Sequence, residues 1–201
     1  MMKKVLDALV NMRKNAAYYY GDTLFGILKY LFYSVFRVNT FLVFENDFAN
    51  PVPIYGFDDG FSPHVPSLEE LDALRKGKDL PREFYCDKTH AAKMCFMALY
   101  QDEPAYIHWV FFKGDNSRFL KLSKETAEIN YATTLSKFRG KRISGRMFAF
   151  STRHLQGLGY KKVVMICHEQ NPPIIKSFLQ AGYREVRRIK AIGPFNRKIP
   201  V

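Results

Sequence analysis

The chain has 201 residues, 47% hydrophobic and 25% charged, with 15% aromatics and a net charge of +12. These values describe a globular chain long enough for one core, and they exclude a disordered or low-complexity protein. Three cysteines, Cys86, Cys95 and Cys167, without C-x-x-C spacing exclude a disulfide framework and a cysteine-held zinc site, and they point to a reducing, cytoplasmic compartment.

In chain order, Met1 to Tyr20 reads as a short helix, with Val5, Leu6, Leu9, Val10 and Met12 set among Lys3, Lys4, Arg13 and Lys14. Asp22 is placed to cap a second helix over Thr23 to Arg37, where Leu24, Ile27, Leu28, Leu31 and Val35 form a stripe widened by Phe25, Phe32 and Phe36. Lys29 interrupts the apolar run and no small-residue cleavage site follows, so it reads as neither a signal peptide nor a span of about 18 apolar residues. Residues 1–37 are therefore an amphipathic helical extension to a domain over 38–201. The extension packs on the chain's own core or on a second copy, a homodimer. The alternative is peripheral contact with a membrane, with Lys29 and Arg37 at the headgroups.

Asn39 to Asn46 is a first strand. Asp47 to Pro66, with four prolines and the turn Asp58-Asp59-Gly60, reads as a long loop whose His64, Asp58 and Asp59 are solvated rather than metal ligands. Ser67-Leu-Glu-Glu70 is a capping box opening a helix with Leu68, Leu71 and Leu74 on one face. Ala91 to Tyr100 and Ala105 to Phe112 form a hairpin around Gln101-Asp-Glu-Pro104, with His108 an ordinary strand residue.

The stretch from Ala127 to Leu158 organises the rest. Ala127 to Thr134 is a strand. Leu135 to Arg142 is a cationic turn containing Gly140. A helix follows, with Met147, Phe148, Phe150, Leu155 and Leu158 at helical spacing and Ser144 as its N-cap. A strand ending in a basic glycine turn that opens a helix is an anion site, because the first helical N–H groups lack internal partners. Lys141, Arg142 and Arg146 add charge there. The glycine spacings of a nucleotide P-loop and of the G-x-G-x-x-G fingerprint are both absent. Beyond it come a buried strand, Lys161 to Cys167, with His168 and Glu169 at its end, and a helix capped by Asn171 with Pro172 and Pro173 in its first turn. Gly182 ends that helix and a last strand runs from Tyr183 to Ile189. The fold class is mixed α/β, a mostly antiparallel central sheet with flanking helices.

Positive charge gathers around this anion site. Lys and Arg outnumber Asp and Glu twenty to seven over residues 91–201, against five to ten over 39–90 and six to two over 1–38. That suits a polyanionic ligand. Nucleic acid is a rival, but no helix-turn-helix, aromatic ribonucleoprotein strand or zinc-finger spacing supports it.

Arg139-Gly140-Lys141-Arg142-Ile143-Ser144 resembles the pyrophosphate loop of the GNAT acetyltransferases, Gln/Arg-x-x-Gly-x-Gly/Ala, with Arg142 and Ser144 where the motif glycines stand. Asn171 to Tyr183 resembles the family's Asn-x-x-Ala-x-x-Leu-Tyr-x-x-x-Gly-Phe segment, and Glu128 stands where the histone-type branch keeps its general base. The resemblance covers roughly residues 88 to 190 and implies a sheet that splays after its fourth strand to admit acetyl-CoA, with no metal. Ala132, Thr133 and Thr134 would meet the pantetheine arm. Arg139, Gly140, Lys141, Arg142, Ile143, Ser144 and Gly145 would hold the pyrophosphate, with Asn171 and Phe178 completing the cofactor site. Phe178 replaces the family tyrosine that protonates the departing thiolate. Glu128 would deprotonate the acceptor, with His168 in reserve; the plainer alternative is a strand glutamate facing solvent. The implied activity is transfer of an acetyl or related acyl group to an amine or hydroxyl of an unidentified small-molecule or protein acceptor. The alternatives are an inactive coenzyme A-binding or interaction module, or a transferase using an acyl-carrier-protein or aminoacyl-tRNA donor.

Overall fold

The computed structural model describes residues 13, 23–36, 38–57, 59–117, 119–192 and 197–198. Apart from Arg13, the helix expected over Met1 to Tyr20 lies outside them, as do the Asp22 cap, Arg37 and Asp58. The chain divides into two compact units, Met1–Phe41 with Ile189–Val201, and Leu42–Arg188.

In the first unit, helix α1 (Leu24–Phe36) begins where the Thr23 hydroxyl accepts the Gly26 N–H at 3.0 Å. Gly26 is buried and Ile27 half-buried, while Leu24 is 74% and Leu28 56% exposed, so much of the expected apolar stripe stands at the surface.

The second unit is built on a sheet in the order β2-β3-β4-β5-β6-β1-β7-β8. Its strands are β1 (Val38–Asn46), β2 (Phe61–His64), β3 (Met94–Tyr100), β4 (Glu103–Phe111), β5 (Thr126–Thr134), β6 (Lys162–His168) and β7 (Arg184–Ile192). The ends of β1 and β7 belong to the first unit, where Ala191 and Ile192 pair antiparallel with β8 (Arg197–Lys198). Strands β2 to β5 are antiparallel and β5 pairs parallel with β6. Strand β2 corrects the reading of 47–66 as all loop. Four residues including Pro63 give no alternating signal, and tertiary pairing of Phe61 opposite Tyr100 makes the strand. The β3–β4 hairpin turns on Gln101 and Asp102, both at positive φ (49° and 65°), so β4 starts at Glu103, earlier than expected.

Each face of the sheet has a core. On one, α4 (Ile143–Gly157) and α5 (Pro172–Gln180) cover Phe96, Tyr106, Val110 and Ile129 with Phe148 and Phe178. On the other, α2 (Leu68–Arg75), a 3-10 turn (Arg82–Tyr85) and α3 (Cys86–His90) bring Leu71 and Phe84 onto Met97, Trp109 and Phe111. Burying each such side chain contributes about 1.5–3 kcal/mol. The capping box at Ser67 and Glu70 forms as expected, with Leu71 buried but Leu68 exposed. The Arg75 side chain, 3% exposed, donates to the Asp87 carboxylate and the Phe84 carbonyl, each at 2.7 Å, and ties α2 to the turn and α3. His108 is fully buried, stacked on Phe96 and hydrogen-bonded to the Tyr106 hydroxyl at 3.0 Å; burial lowers its pKa to about 3, so it is neutral.

Candidate functional site

Strands β5 and β6 pair from Thr126 opposite Lys162 to Ile129 opposite Met165 and no further, although β5 runs on to Thr134 and β6 to His168. The parting starts at a bulge. Asn130 faces Trp109 and Thr133 faces Ile107, so β5 carries an extra residue, and Tyr131 sits at φ 52°. The Asn130 Oδ1 accepts the Tyr131 N–H at 2.8 Å and satisfies the group that the bulge frees. The edge of β5 past Ile129 is thereby left without a ladder partner on the β6 side.

Between that edge and α5 lies a cavity of about 760 Å³. It is lined by Ala132, Thr133 and Thr134, by the turn from Phe138 to Ser144, and by Asn171, Ile174 and Ser177 of the α5 end. The turn is as cationic as its sequence. Gly140 adopts φ 80°, with open space where a Cβ would stand, and Arg139, Lys141 and Arg142 are exposed. Arg139 Nε donates to the Thr134 carbonyl at 3.3 Å. The Lys141 ammonium lies 5.6 Å from the centres of the Phe61 and Tyr100 rings.

Two expectations about this turn are corrected. Arg142, not Ser144, is the N-cap of α4. It is left-handed at φ 56°, and no side chain caps the helix, whose first turn holds no acid. Ser144 lies within the helix, its hydroxyl 3.3 Å from Thr134 Oγ1. Arg146 does not stand ready for an anion either. It makes two 2.9 Å bonds to the Asp59 carboxylate and one to the Lys141 carbonyl at 3.1 Å. Asp59, read as a solvated loop residue, is therefore a partner of α4, and the Arg146 hydrogen bonds hold its carboxyl below the usual range. Gly145 is buried; a Cβ there would lie 3.2 Å from Gln180 Oε1, so its lack of side chain lets α4 approach α5.

A second cavity, about 240 Å³, passes through the gap in the sheet. Phe148, Ile174 and Phe178 line it from the α4–α5 side, and Glu83, Asn130 and Tyr131 from the other. Ala132, Asn171 and Ile174 line both cavities and mark their junction. Asn171 caps α5 by accepting the Ile174 N–H at 3.4 Å. Phe178 is 3% exposed and packs edge-on against Phe44 and Phe148, so the wall there is apolar. The hydroxyls of Tyr183 and Tyr160 do not reach it. Tyr183 is buried and bonded to the Thr152 hydroxyl, and Tyr160 stacks on Phe112 outside the lining. Tyr131 is the tyrosine that does line it.

Glu128 is fully buried, which corrects the solvent-facing alternative. It lines neither cavity. Burial pushes its carboxyl up, tempered by nearby Ser117 and by Asn130, whose Nδ2 donates to Oε1 at 3.1 Å. Among the described residues, neither Ser117 nor any other completes a hydrogen bond to Oε2. His168 lines the crossing, and its Nδ1 accepts the Gln170 N–H at 3.1 Å. Glu83, Asn130 and Tyr131 were missed from sequence. Glu83 sits in a 3-10 turn placed by the Trp109 Nε1 bond to its carbonyl at 2.7 Å, a contact across 26 residues that no local pattern announces.

No protein-family model matches the sequence, and no curated protein matches it. Solved structures do. A GNAT-family protein of Novosphingobium aromaticivorans is 17% identical over 78% of this chain and 64% of its own, with a TM-score of 0.55. A GCN5-related N-acetyltransferase of Sphaerobacter thermophilus is 13% identical over 82% of this chain and 54% of its own, at 0.54. The GCN5-related glucosamine N-acetyltransferase region of a fungal multi-domain β-N-acetylglucosaminidase reaches 0.60 at 13% identity, over 84% of this chain and 23% of that one. The chain thus spans under two thirds of the length of each.

Proposed function

On a chain that has the GNAT fold, we propose a site for acyl transfer from acetyl-CoA to an amine. The observation that carries this reading is the meeting of two cavities, one long and cationic and one crossing the sheet, at the bulge where β5 leaves β6. The residues present fit the donor. The uncapped start of α4, the open Gly140 and the exposed Arg139, Lys141 and Arg142 suit a diphosphate. The unpaired edge from Ala132 to Thr134 suits the amides of a pantetheine arm. The donor supplies an acyl group already activated as a thioester. What the protein adds is alignment of acceptor and donor, and removal of a proton from the acceptor.

Among the described residues Glu83 is the one carboxylate lining the crossing; its Oε1 accepts from the exposed Arg82 Nε at 3.1 Å, a surface pair weak enough for an ammonium to replace, so it favours a cationic amine over a hydroxyl. It is placed to draw the ammonium to the far mouth and, directly or through water, to accept its proton. Phe178 offers no proton to the departing thiolate. A coenzyme A thiolate is stable enough to leave without one, and Phe178 instead keeps water from the thioester. Retention on immobilised coenzyme A, followed by thiol release from acetyl-CoA with a panel of primary amines, tests the reading. Retention without release under any amine favours the inactive binding module, for which Phe178 is the supporting observation. No retention removes both.

A further inference from the structure

Glu128 holds the strand position from which a carboxylate would act on the acceptor, yet it lies behind the site rather than in it. It is fully buried opposite Phe111 and lines neither cavity. Asn130 stands between it and the crossing, with both ends of its amide committed. Its Nδ2 donates to Glu128 Oε1 at 3.1 Å, and its Oδ1 accepts the N–H of Tyr131 at 2.8 Å. Tyr131 is the residue the bulge forces to φ 52°, a conformation a tyrosine keeps only when its surroundings hold it. Those holds are visible: the Asn130 amide on its N–H, and His90 and Phe111 against its ring at 4.5 and 5.7 Å.

We propose that Glu128 is a positioning residue, which orients the Asn130 amide and through it fixes the bulge that sets Ala132 at the junction of the two cavities. An asparagine amide alone can turn over and present its NH₂ to the Tyr131 N–H, where two donors face one another. An acceptor fixed in the core prevents that, since only one orientation satisfies Oε1 of Glu128 and the Tyr131 N–H together. The role needs an acceptor oxygen at Oε1 and no negative charge. It fits a carboxyl whose burial favours the neutral form and whose Oε2 has no hydrogen bond among the described residues. A base would need the opposite: a charged oxygen open to the acceptor.

The turnover part of the test rests on the acyl-transfer reading; the exchange part does not. Glu128→Gln keeps an acceptor oxygen and removes the acid, Glu128→Leu removes both, and Asn130→Ala removes the link. Hydrogen exchange of the Tyr131 amide in the full chain is expected to stay slow in Glu128→Gln. In Glu128→Leu and Asn130→Ala it quickens by about tenfold or more relative to the β3 amides. Thiol release from acetyl-CoA with the best amine is expected to stay within about threefold of the parent in Glu128→Gln, with an unchanged pH profile. Equal Tyr131 protection in all three variants overturns the proposal. So does a tenfold loss in Glu128→Gln that deepens below the amine's pKa. Absence of thiol release even from the parent chain counts against acyl transfer alone, because the exchange result still decides the role of Glu128.

Discussion

Residues 139–144 would hold their ligand with a single turn of exposed cations and free N–H groups, whereas the crossing is assembled from the 3-10 turn, β5, β6 and α5 and locked from behind. Its supports are buried bonds: Trp109 to the Glu83 carbonyl, Arg75 to Asp87 and the Phe84 carbonyl, and Glu128 to Asn130. A diphosphate spreads its charge over several oxygens and tolerates a soft cradle, while a reacting carbonyl and amine lose rate steeply when displaced by an ångström. On the acyl-transfer reading, affinity would belong to the loose end and rate to the rigid one, and substitutions at the two ends should separate them.

The largest effect is expected behind the crossing. Asp87→Asn leaves the buried Arg75 guanidinium with only the exposed Asp72 carboxylate as counter-ion and costs about 1.5–3 kcal/mol in urea unfolding, while coenzyme A affinity of the folded fraction stays unchanged. The pH dependence has a definite sign. Burial alone would raise the Asp87 carboxyl, but Arg75 holds it below the usual value of 3.8. The pair's stability is complete above that value and is lost as pH falls through the lower folded value, a loss the variant lacks.

Next comes the loose end. Gly140→Val forces a β-branched residue to φ 80° in open space, costing about 1–2 kcal/mol of local strain. Calorimetric titration is expected to show coenzyme A binding at least tenfold weaker. Urea unfolding should fall by no more than the strain, and unchanged affinity would mean the turn is not a phosphate cradle.

Smaller is the effect of Phe178→Tyr, which sets a hydroxyl at the wall of the crossing. If the thiolate leaves there, thiol release rises by a few-fold with coenzyme A affinity unchanged. A fall in thermal midpoint with no gain in rate would place the departing sulfur elsewhere. Least of all, Arg146→Lys breaks the two-pronged grip on Asp59, and a double-mutant cycle with Asp59→Asn should give a coupling below about 1 kcal/mol, since Asp59 is half-exposed.

The same division sets what could be read in the sequence. The strand, basic turn and helix from Thr126 to Gly157 are contiguous, so periodicity, Gly140 and the cations declared them. The cap did not declare itself, because Arg142 takes the left-handed position without a side-chain signal while Ser144, a good capping residue, was available two residues on. Arg146 looked like a phosphate ligand because its partner Asp59 lies 87 residues earlier in the chain. Tyr131 carries no mark of its bulge, since a non-glycine at positive φ is imposed by the register with β4; the only local hint is the asparagine before it. Strand β2 and Glu83 depend wholly on tertiary partners.

The sheet order has one more consequence, for how the chain reaches this state. Strand β1 leaves the ribosome before the other strands, yet its place is between β6 and β7, which emerge after β2 to β5. The β2–β6 layer, with its short-range hairpins, can close while the Leu42–Asn46 stretch still waits for β6 and β7. Until they arrive, an apolar segment with Leu42, Val43 and Phe44 presents two unmet edges. Long-range closure of this kind slows folding and gives chaperones, or a neighbouring nascent chain, time to pair with β1 first.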